Sequence, residues 1–591
     1  MLVSAAAFAA PVDYTVSLAD PSGHILHVRM HVSGTVAERD IQLPTWNTLY
    51  QVRDFAQNVR GVQAWDFNHH PLPVHKIDKT TWHISDAKDG FELEYDIFAD
   101  QAGPYGAQFN SDHVFLNLAE VLAYATDARR SQVTLAFVNV PSQWHVAAAL
   151  ARVRQGTSGL PEFLADNYDQ LVDSPVELGS FREASFQLGG ATYRIVVHAD
   201  AADYDMRALE DSVKKIVAAG VAWMDDRPFG EYLFIYHFPH GSNGGGGGME
   251  HSYCTTIDLS ADRLKMDPLL LPRVTAHEFF HLWNVKRIRP ASLEPVDYAH
   301  ENYTRALWFS EGVTNTVQEI LLLRVGILDQ KEFLAGVAHE IRALQLRPAH
   351  RTQSAEDSSL DAWLEKYSQY RLPERSISYY NKGEILGVLL DLAVRRSTDG
   401  QKSLREVFQW MNQHYAKQGR FFDDSEGVRA AVEAVTGKDF RWFFSAYVAG
   451  VEELPYDELL STVGLKLVQV KTKVPTVGFD SVRDFRRQAW VTAVDPGSDA
   501  QKAGLVSGDV IVELNGKEIA SGVETSITSM HPGDTVKLKI NNNKGVAREI
   551  KIKLGSREED EVSIVETDKV TPQQRARRAA WLAGEAERPH P

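Results

Sequence analysis

Apolar and polar residues alternate with a period of two along most of the first third of the chain. Short runs of this kind, separated by glycine, proline and asparagine, are typical of strands with one buried face. The clearest runs are residues 14–18, 24–30, 91–97 and Val133–Val138. Many short strands without long helices predict a β-sandwich-like domain over residues 12–185.

The hydrophobic period changes to 3.6 residues beyond residue 185. This spacing places apolar side chains along one face of a helix. It predicts helices over Met206–Met224, 305–325, 377–395, Leu404–His414 and 428–435. Residues 186–455 are therefore predicted to form one mixed but mainly helical domain, which makes the whole chain multidomain α+β.

Short strands return after residue 456. The clearest are Ala489–Val494, 509–514, 536–540 and 549–554. They predict a compact β-rich module over residues 456–555. Residues 556–591 predict a charged tail that ends in one helix, with Thr571 as the N-cap and Gln574 closing a capping box.

Composition and charge narrow the class of protein. The 591 residues exceed what one hydrophobic core supports, and 44% hydrophobic with 24% charged residues is ordinary for a globular protein. A net charge of −17 argues against nucleic acid or an anionic membrane surface as the main partner. No run of 18 apolar residues predicts a transmembrane span.

The N-terminus and the cysteine count bear on the compartment. Residues 1–11 resemble the end of a signal peptide, with a short apolar core and small residues but without a positively charged start. They predict export to the periplasm or the medium, with the cytoplasm as the alternative. Cys254 is the only cysteine, which excludes an intrachain disulfide and fits either compartment.

One motif predicts a metal site. His277, Glu278 and His281 form the H-E-x-x-H pattern. Residues four apart share a helix face, so the two imidazoles converge on one zinc ion, while Glu278 is turned by about 100° and takes a proton from the attacking water. Flanking apolar residues predict a buried helix. The alternative, a polar helix face with two unrelated histidines, would leave buried polar groups without partners.

A catalytic zinc ion needs a third protein ligand and an open position. Arg287 stands where a compact H-x-x-G-x-x-H type of site has a histidine, so the third ligand lies further along the chain. Glu294, Glu301 and Glu311 are the alternatives. Glu311 is favoured because it lies in an apolar predicted helix, where an uncompensated carboxylate is costly. A salt-bridged core glutamate would also explain that position.

Two further features fit the same centre. Tyr380 opens an apolar predicted helix, and its phenol is suited to donate to the oxyanion of a tetrahedral intermediate, although packing alone would also explain a tyrosine there. Five glycines, residues 244–248, precede Met249 and Glu250. Inside a domain they predict a loop whose backbone closely approaches a bound peptide, rather than a linker. Glu250 would then pair with a free α-amine.

Together these motifs resemble the glycyl-aminopeptidase family of gluzincin zinc metallopeptidases, whose members carry a C-terminal PDZ domain. The resemblance covers nearly the whole chain. It rests on residues 277–290, on Trp-Phe-Ser-Glu-Gly at 308–312, on Gly-Gly-Met-Glu at 247–250 and on Tyr-Asn-Lys-Gly at 380–383. It implies a thermolysin-like catalytic domain with one zinc ion held by His277, His281 and Glu311, and with Glu278 activating water.

The resemblance also implies how a peptide is held. Gly247, Gly248, Met249 and Glu250 correspond to the substrate-binding segment, in which the glutamate anchors the free amino terminus. Tyr380 corresponds to the residue that stabilises the intermediate. The chain departs from the family pattern after Glu311, where Thr-Asn-Thr at 314–316 replaces a threonine followed by an aromatic residue, so the resemblance does not fix the side-chain preference.

The module at 456–555 resembles a PDZ domain of the bacterial protease type, through residues 494–500 and 503–516. Such domains bind an extended peptide C-terminus by strand addition, which makes peptide C-termini a second class of partner beside peptide substrates. Residues 476–479 are the candidate carboxylate-binding loop. A purely structural or substrate-restricting module is the alternative.

Three functions follow from these features. The leading hypothesis is a zinc aminopeptidase that removes glycine or alanine from peptide N-termini. A zinc endopeptidase, with residues 244–248 as a substrate-binding edge and Glu250 as a surface acid, is the alternative enzyme. A PDZ scaffold with an inactive peptidase domain is disfavoured, because the predicted ligands, base and tyrosine are all present.

Overall fold

A computed structural model describes residues 12–34, 36–47, 50–155, 159–240, 246–483, 488–519, 522–542 and 545–587. The predicted leader segment, residues 1–11, lies outside these ranges, so export stays a prediction. The chain divides into two compact units, the first formed by Met1–Lys466 and Glu566–Pro591 and the second by Leu467–Val565. The second unit therefore interrupts the first in sequence.

Sheets form the first part of the first unit, as the period-two pattern predicts. Residues 12–179, here called the β region, contain an eight-stranded sheet and two four-stranded sheets around one apolar core. The large sheet has the order Ala151–Gln155, Pro161–Ala165, Val133–Val138, Val12–Asp20, Ile25–Ser33, Gly90–Phe98, Val59–Trp65 and Pro71–Leu72. One small sheet is His145–Ala148, Val176–Gly179, His113–Leu116 and Ala107–Phe109, and the other is Tyr124–Ala125, Arg39–Gln42, Thr81–Ile84 and Val74–Lys76.

Residues 182–463, here called the helical region, begin with a five-stranded mixed sheet. Its order is Arg182–Leu188, Ala191–His198, Glu231–His237, Cys254–Asp258 and Gly247–Glu250. The three middle strands run parallel, and the last strand, here called the edge strand, pairs antiparallel with Cys254–Asp258. The sequence predicts a loop here, but Gly247 and Gly248 pair in register because glycine permits a close backbone approach. Gly244 and Gly245 lie outside the described residues.

Three helices of this region position the candidate site. The histidine helix is Leu270–Phe280, the tyrosine helix is Tyr379–Ser397, and the glutamate helix is a π-helical turn, Trp308–Val313, continued by Thr314–Arg324. The other α-helices of the region are Met206–Met224, Ala261–Met266, Gln330–Gln345, Ala355–Leu360, Leu404–His414, Asp424–Thr436, Arg441–Phe443 and Tyr456–Leu460, and a second π-helical turn spans Phe444–Val448. None of the helices described is long and apolar enough to cross a membrane.

The second unit is β-rich and has its own apolar core. Its main sheet is Phe479–Arg483, Ala489–Val494, Val510–Leu514, Thr535–Asn541 and Ala547–Lys553, and a short helix spans Asp499–Lys502. The strand Leu465–Thr476 pairs with Gly555–Glu566, where the sequence predicts only a charged tail. Opposite charges across this ribbon, such as Lys471 and Glu558 at 4.0 Å, favour the pairing, and they lie too far apart in sequence to be recognised together.

The chain ends by returning to the first unit. The terminal helix, Pro572–Leu582, begins with the predicted capping box. Trp581 is only 1% exposed, and the indole Nε1 of Trp223 donates a 3.1 Å hydrogen bond to the carbonyl of Gly584. The tail is therefore packed against the helical region rather than solvated.

Candidate metal centre

Three buried side chains meet at the C-terminal end of the histidine helix. Nε2 of His277 lies 2.8 Å from Nε2 of His281, and Oε2 of Glu311 lies 3.4 Å from the first and 3.3 Å from the second. This metal triad (His277, His281 and Glu311) places two imidazole nitrogens and a carboxylate oxygen within 4.8 Å of one another. Such a donor set, open on one side, fits a catalytic zinc ion.

A hydrogen bond behind the metal triad fixes the orientation of His281. Its Nδ1 lies 2.6 Å from the backbone carbonyl of Asn284 and donates to it, which directs the Nε2 lone pair into the triad. The buried amide of Asn284 donates in turn to the carbonyl of Phe309 and to Oγ1 of Thr314, at 2.9 and 3.1 Å. Asn284 thereby ties the histidine helix to the glutamate helix, a role that no local sequence pattern indicates.

The glutamate helix and the tyrosine helix touch through two glycines. A Cβ atom on Gly312 would lie 2.5 Å from Cα of Gly383, so no larger residue fits at this crossing. Glu311 precedes the first glycine in a π-helical turn, and Tyr380 lies one turn before the second. The ring centroid of Tyr380 is 6.2 Å from that of His277, which places the phenol beside the metal triad.

The other two candidate third ligands lie elsewhere. Oε1 of Glu294 is 2.5 Å from the guanidinium of Arg289, and Glu301 is exposed. Glu311 is the one of the three that contacts both imidazoles. The apolar helix that contains Glu311 is the reason why the sequence favoured this residue as the third ligand. The same helix places the Glu311 carboxylate in the interior.

Glu278 lies directly against the edge strand. A Cβ atom on Gly248 would be 2.2 Å from Oε1 of Glu278, so the carboxylate occupies the space that a side chain would take. Burial raises the pKa of the Glu278 carboxyl well above its usual range; His281 opposes the rise, and the carboxylates of Glu250 and Glu311 add to it. A carboxyl group with a raised pKa accepts and holds a proton near neutral pH, as a general base must.

The members of the metal triad shift one another's proton affinity. Burial lowers the pKa of His281, but the Glu311 carboxylate outweighs this and raises it to about 10. Burial likewise raises the pKa of Glu311, and the two imidazoles outweigh it, holding that carboxyl well below its usual range. A cation would take the place of the proton on His281, because imidazole binds metal in its neutral form.

The β region contributes to this centre through Tyr105. Its hydroxyl donates a 3.0 Å hydrogen bond to the carbonyl of Gly248, and a Cβ atom on Gly247 would lie 2.6 Å from the same oxygen. The edge strand is thus clamped between Tyr105 on one side and Glu278 on the other. The sequence analysis missed Tyr105, because its contact spans 143 residues and leaves no local pattern.

A cavity of about 350 Å³ opens in front of the metal triad. Its walls are Tyr50, Tyr105, Gly247, Gly248, Glu250, Arg273, Val274, His277, Glu278, His281, Glu311, Asn315, Gln318 and Tyr380. Met249, predicted as part of the substrate-binding segment, is instead 1% exposed and does not line this cavity. In a strand the side chain of Met249 points to the opposite face from that of Glu250, which lines the cavity.

A second cavity, of about 390 Å³, adjoins the first at Glu250 and Tyr50, which line both. Its other walls include Trp46, Asp173 and Tyr298. The two carboxylates Glu250 and Glu278 lie, with His281, within 4.8 Å of one another. Glu250 therefore stands at the boundary between the cavity at the metal triad and the space beyond it.

Comparison with known families agrees with this geometry. The Peptidase M61 N-terminal domain matches residues 13–180, the M61 glycyl aminopeptidase family matches residues 271–386, and the PDZ domain matches residues 464–554. These matches confirm the family resemblance drawn from the sequence and the metallo-aminopeptidase class that it implies. They also confirm the fold class, a β-rich N-terminal part, a helical middle and a C-terminal PDZ module.

Similar proteins include one solved structure and one curated protein. An aminopeptidase N family protein from Idiomarina loihiensis shares the fold, with a TM-score of 0.79 and 24% identity over 97% of this chain and 100% of that one. The periplasmic pH-dependent serine endoprotease DegQ of Escherichia coli strain K12 is 41% identical over 73 residues, 12% of this chain. The chain spans 16% of the length of that curated relative.

Proposed function

We propose that this chain, with its M61 glycyl aminopeptidase match, is a zinc-dependent aminopeptidase that removes glycine or alanine from peptide N-termini. The position of Glu250 carries the proposal. Its carboxylate lies beside the predicted base and the metal triad, within 4.8 Å of ligand atoms of Glu278 and His281. A carboxylate at that distance pairs with the free ammonium group of a peptide whose first carbonyl faces the metal triad.

The donor chemistry of the metal triad favours zinc, with one ion held by His277, His281 and Glu311. An ion held there would supply Lewis-acid chemistry, polarising the scissile carbonyl and making a water molecule more acidic. The hydrogen bond from Nδ1 of His281 to the Asn284 carbonyl orients the ring, so that Nε2 faces the metal triad. The protein thus supplies an ordered site with space for substrate in front of it.

The remaining side chains provide proton transfer and charge stabilisation. Glu278 takes a proton from the attacking water and passes it to the leaving amine. The hydroxyl of Tyr380 donates to the carbonyl oxygen as negative charge develops there. The edge strand, which stands last in its sheet, offers backbone groups that align the peptide by strand addition.

The walls of the cavity support the proposed preference for small residues. Three tyrosines, Tyr50, Tyr105 and Tyr380, are among the residues that line its volume of about 350 Å³. With Glu250 holding the ammonium group and the metal triad facing the carbonyl, the side chain of the first residue must fit among these rings. Glycine and alanine fit most easily.

The adjoining cavity favours a second candidate, a zinc endopeptidase. It continues past Glu250 and would accept a chain that extends beyond the cleaved residue. In that enzyme Glu250 would contact the substrate backbone instead of a terminal ammonium group. The two functions predict opposite results with a blocked N-terminus.

The test uses a matched pair of peptides that begin with glycine and differ only in N-acetylation. An aminopeptidase cleaves the free peptide alone, loses activity on chelation and regains it with zinc. Glu250→Gln should abolish cleavage of the free peptide while zinc stays bound, and Glu301→Gln, at an exposed position, is the matched control that keeps activity. Equal cleavage of both peptides would establish the endopeptidase, and cleavage of neither with zinc bound would establish a scaffold.

We also propose that the second unit binds peptide C-termini. The candidate loop, residues 476–479, connects the strands Leu465–Thr476 and Phe479–Arg483. Backbone amides in such a loop hold a terminal carboxylate while the peptide adds to the sheet. Binding of a peptide with a free C-terminus but not of its amide, measured by calorimetry, is the expected result.

A further inference from the structure

A second group of metal-binding side chains lies outside the cavity at the metal triad. His113 and Glu177 stand on one small sheet of the β region, and His237 ends a parallel strand of the five-stranded sheet. Nδ1 of His113 lies 3.0 Å from Oε1 of Glu177, and Nε2 of His237 lies 3.1 Å from Oε2. The exposed fractions of His113, Glu177 and His237 are 6%, 0% and 6%.

We propose that His113, Glu177 and His237 bind a second divalent transition-metal ion of the zinc type, which joins the β region to the helical region. Their three ligand atoms lie within 4.8 Å of one another, as in the metal triad. Two imidazoles with a carboxylate suit zinc and its neighbours rather than calcium or magnesium, which prefer oxygen ligands alone. The proposal is independent of the peptidase activity.

The contacts of His113 indicate a cation between it and Glu177. Its Nε2 lies 3.1 Å from Oε1 of Gln108, an oxygen to which the ring donates. A neutral imidazole that donates there has a lone pair on Nδ1, and this lone pair faces the Glu177 carboxylate at 3.0 Å. Two electron-rich atoms at that distance need a positive charge between them, which a proton or a metal ion on Nδ1 supplies; the zinc count below distinguishes the two. His281 has the same arrangement, with the Asn284 carbonyl behind the ring.

Asp258 supplies an independent observation. It is 4% exposed, and its Oδ1 has no hydrogen-bond partner among the residues that the structure describes. It pairs in register with His237 on the adjacent parallel strand, so both side chains lie on the same face of the sheet. An unpaired carboxylate oxygen is costly in such a place, and a cation next to His237 removes that cost.

Asp258 stands beside the three ligands rather than among them, because only the ligand atoms of His113, Glu177 and His237 lie within 4.8 Å of one another. Its carboxylate would balance the charge of the bound ion and help to hold His237 in place. Asp258 also pairs across the sheet with Gly247 of the edge strand. The ion would therefore fix the strand that carries Glu250 relative to the β region.

His198 offers a matched control. Its ring stacks on that of His113 with centroids 3.9 Å apart, but its Nδ1 lies 4.0 Å from Oε1 of Glu177. Burial lowers the pKa of His198 to about 4, and His113 lowers it further while Glu177 opposes this. It is therefore a half-buried histidine beside the site that is not assigned as a ligand.

Counting zinc in the full-length protein after dialysis against a weak chelator tests the proposal. Two zinc ions per chain are expected in the unaltered protein, one in His281→Ala, and none when His113→Gln is added to it. Adding His198→Gln instead should leave that one ion in place. A zinc-free His281→Ala protein would overturn the proposal.

A surface group formed by Asp200, Asp203 and His240 could also take up zinc, so its contribution is measured separately. His240→Ala in the His281→Ala background should retain the ion; its loss would assign the ion to the surface and overturn the proposal. Because His113→Gln could disturb folding, anomalous scattering at the zinc edge from crystals of the unaltered protein gives a second readout. A peak among His113, Glu177 and His237 supports the site, and a peak at the metal triad alone refutes it.

Discussion

Gly248 is the residue at which the lack of a side chain matters most for the proposed chemistry. The carboxylate of Glu278 fills the space that a Cβ atom would occupy, 2.2 Å from Oε1. Gly248→Ala should therefore displace the base and lower kcat/KM by about 100-fold, the scale of a misplacement of about 1 Å. Steady-state kinetics with zinc content checks this. Gly336→Ala, with open space around it, is the control that should change neither.

Glu278→Gln keeps the shape of the side chain and removes its ability to take a proton. The rate should fall by about 10²–10⁴-fold while zinc stays bound. Glu311→Ala should instead lose the metal, because it removes one of three ligands. Zinc content and kcat measured on the same preparations separate the two roles. Full turnover by Glu278→Gln, or loss of zinc from Glu301→Ala rather than Glu311→Ala, would contradict the assignments.

Tyr105 and Tyr380 are both tyrosines of the same cavity, and their roles predict different kinetics. Tyr380→Phe removes a donor used as charge develops, so kcat should fall by about 10²–10³-fold with little change in KM. Tyr105→Phe removes a hydrogen bond that positions Gly248, worth about 1 kcal/mol, so KM should rise by about 5-fold. A fall in kcat from Tyr105→Phe equal to that from Tyr380→Phe would refute the distinction.

Among single residues, the sequence identified those that belong to a short local motif. His277, Glu278 and His281 are within one helical turn or so, and helix geometry alone brings them together. Tyr105 and Asn284 act through partners that are distant in sequence, at separations of 143 and 25 to 30 residues. Nothing in a single chain marks such pairs, so only the folded structure could reveal them.

Among elements, the contact between the glutamate and tyrosine helices shows how short motifs become a site. Each motif supplies one functional residue and one glycine, and the glycines Gly312 and Gly383 meet at the crossing. The pattern of the sequence predicted both helices but not their contact, because hydrophobic periodicity gives a face and not its partner. The edge strand was predicted as a loop for a related reason: glycine has no side chain whose alternation could indicate a strand.

The segment that follows the edge strand is held to the β region by Asp173. This carboxylate accepts from Nζ of Lys286 at 2.7 Å, from the backbone of Ser252 at 3.0 Å and from Nδ1 of His251 at 3.1 Å. Burial raises its pKa, but Lys286 and His251 outweigh this and hold the pKa well below its usual range. The charged form is therefore stabilised by folding.

Asp173→Asn should lower the free energy of unfolding by about 3 kcal/mol at pH 7, since it leaves Lys286 without its partner. A carboxyl with a depressed folded-state pKa contributes stability above its ordinary pKa, near 4, and loses it as the pH falls further. The difference in the free energy of unfolding between the unaltered protein and Asp173→Asn should therefore become smaller below about pH 4. Urea unfolding at several pH values checks this.

Asp169→Asn is the control for that measurement. Asp169 lies in the short helix Tyr168–Val172, which Asp173 directly follows. It pairs with Arg129 at 2.8 Å, but its side chain is 35% exposed. A partly exposed pair of this kind contributes within about 1 kcal/mol. A pH-independent effect of Asp173→Asn, or an equal effect of the control, would contradict the assigned role.

For the whole molecule, the order of the parts along the chain could be predicted and their connection could not. The change in hydrophobic period marked the β region, the helical region and the PDZ module. That the terminal helix packs on the helical region could not be predicted from its charged, capped sequence, because Trp581 packs edge-on against Phe333, which is distant in sequence. The flanks of the second unit are likewise joined within the first, where the backbone N–H of Thr567 donates to Gly464 at 3.0 Å.

This connection predicts that the second unit can be removed. Deleting Leu467–Val565 and joining its flanks with a short glycine–serine linker should leave a folded, zinc-binding peptidase, because the flanks already lie side by side. Trp581→Ala in the full chain should instead lower the free energy of unfolding by about 3–5 kcal/mol. Circular dichroism and cleavage of a free dipeptide measure both. The division into two units would be contradicted if the deletion protein were unfolded, or if Trp581→Ala left the free energy of unfolding unchanged.

The return of the terminal helix also has a consequence for a chain that is cut. A single nick within the second unit would separate the last residues covalently from the rest. The buried indole of Trp581 and the hydrogen bond from Trp223 to Gly584 would still hold them in place. Two fragments should therefore copurify and retain activity, and the C-terminal piece, expressed apart, should complement a chain that ends before it.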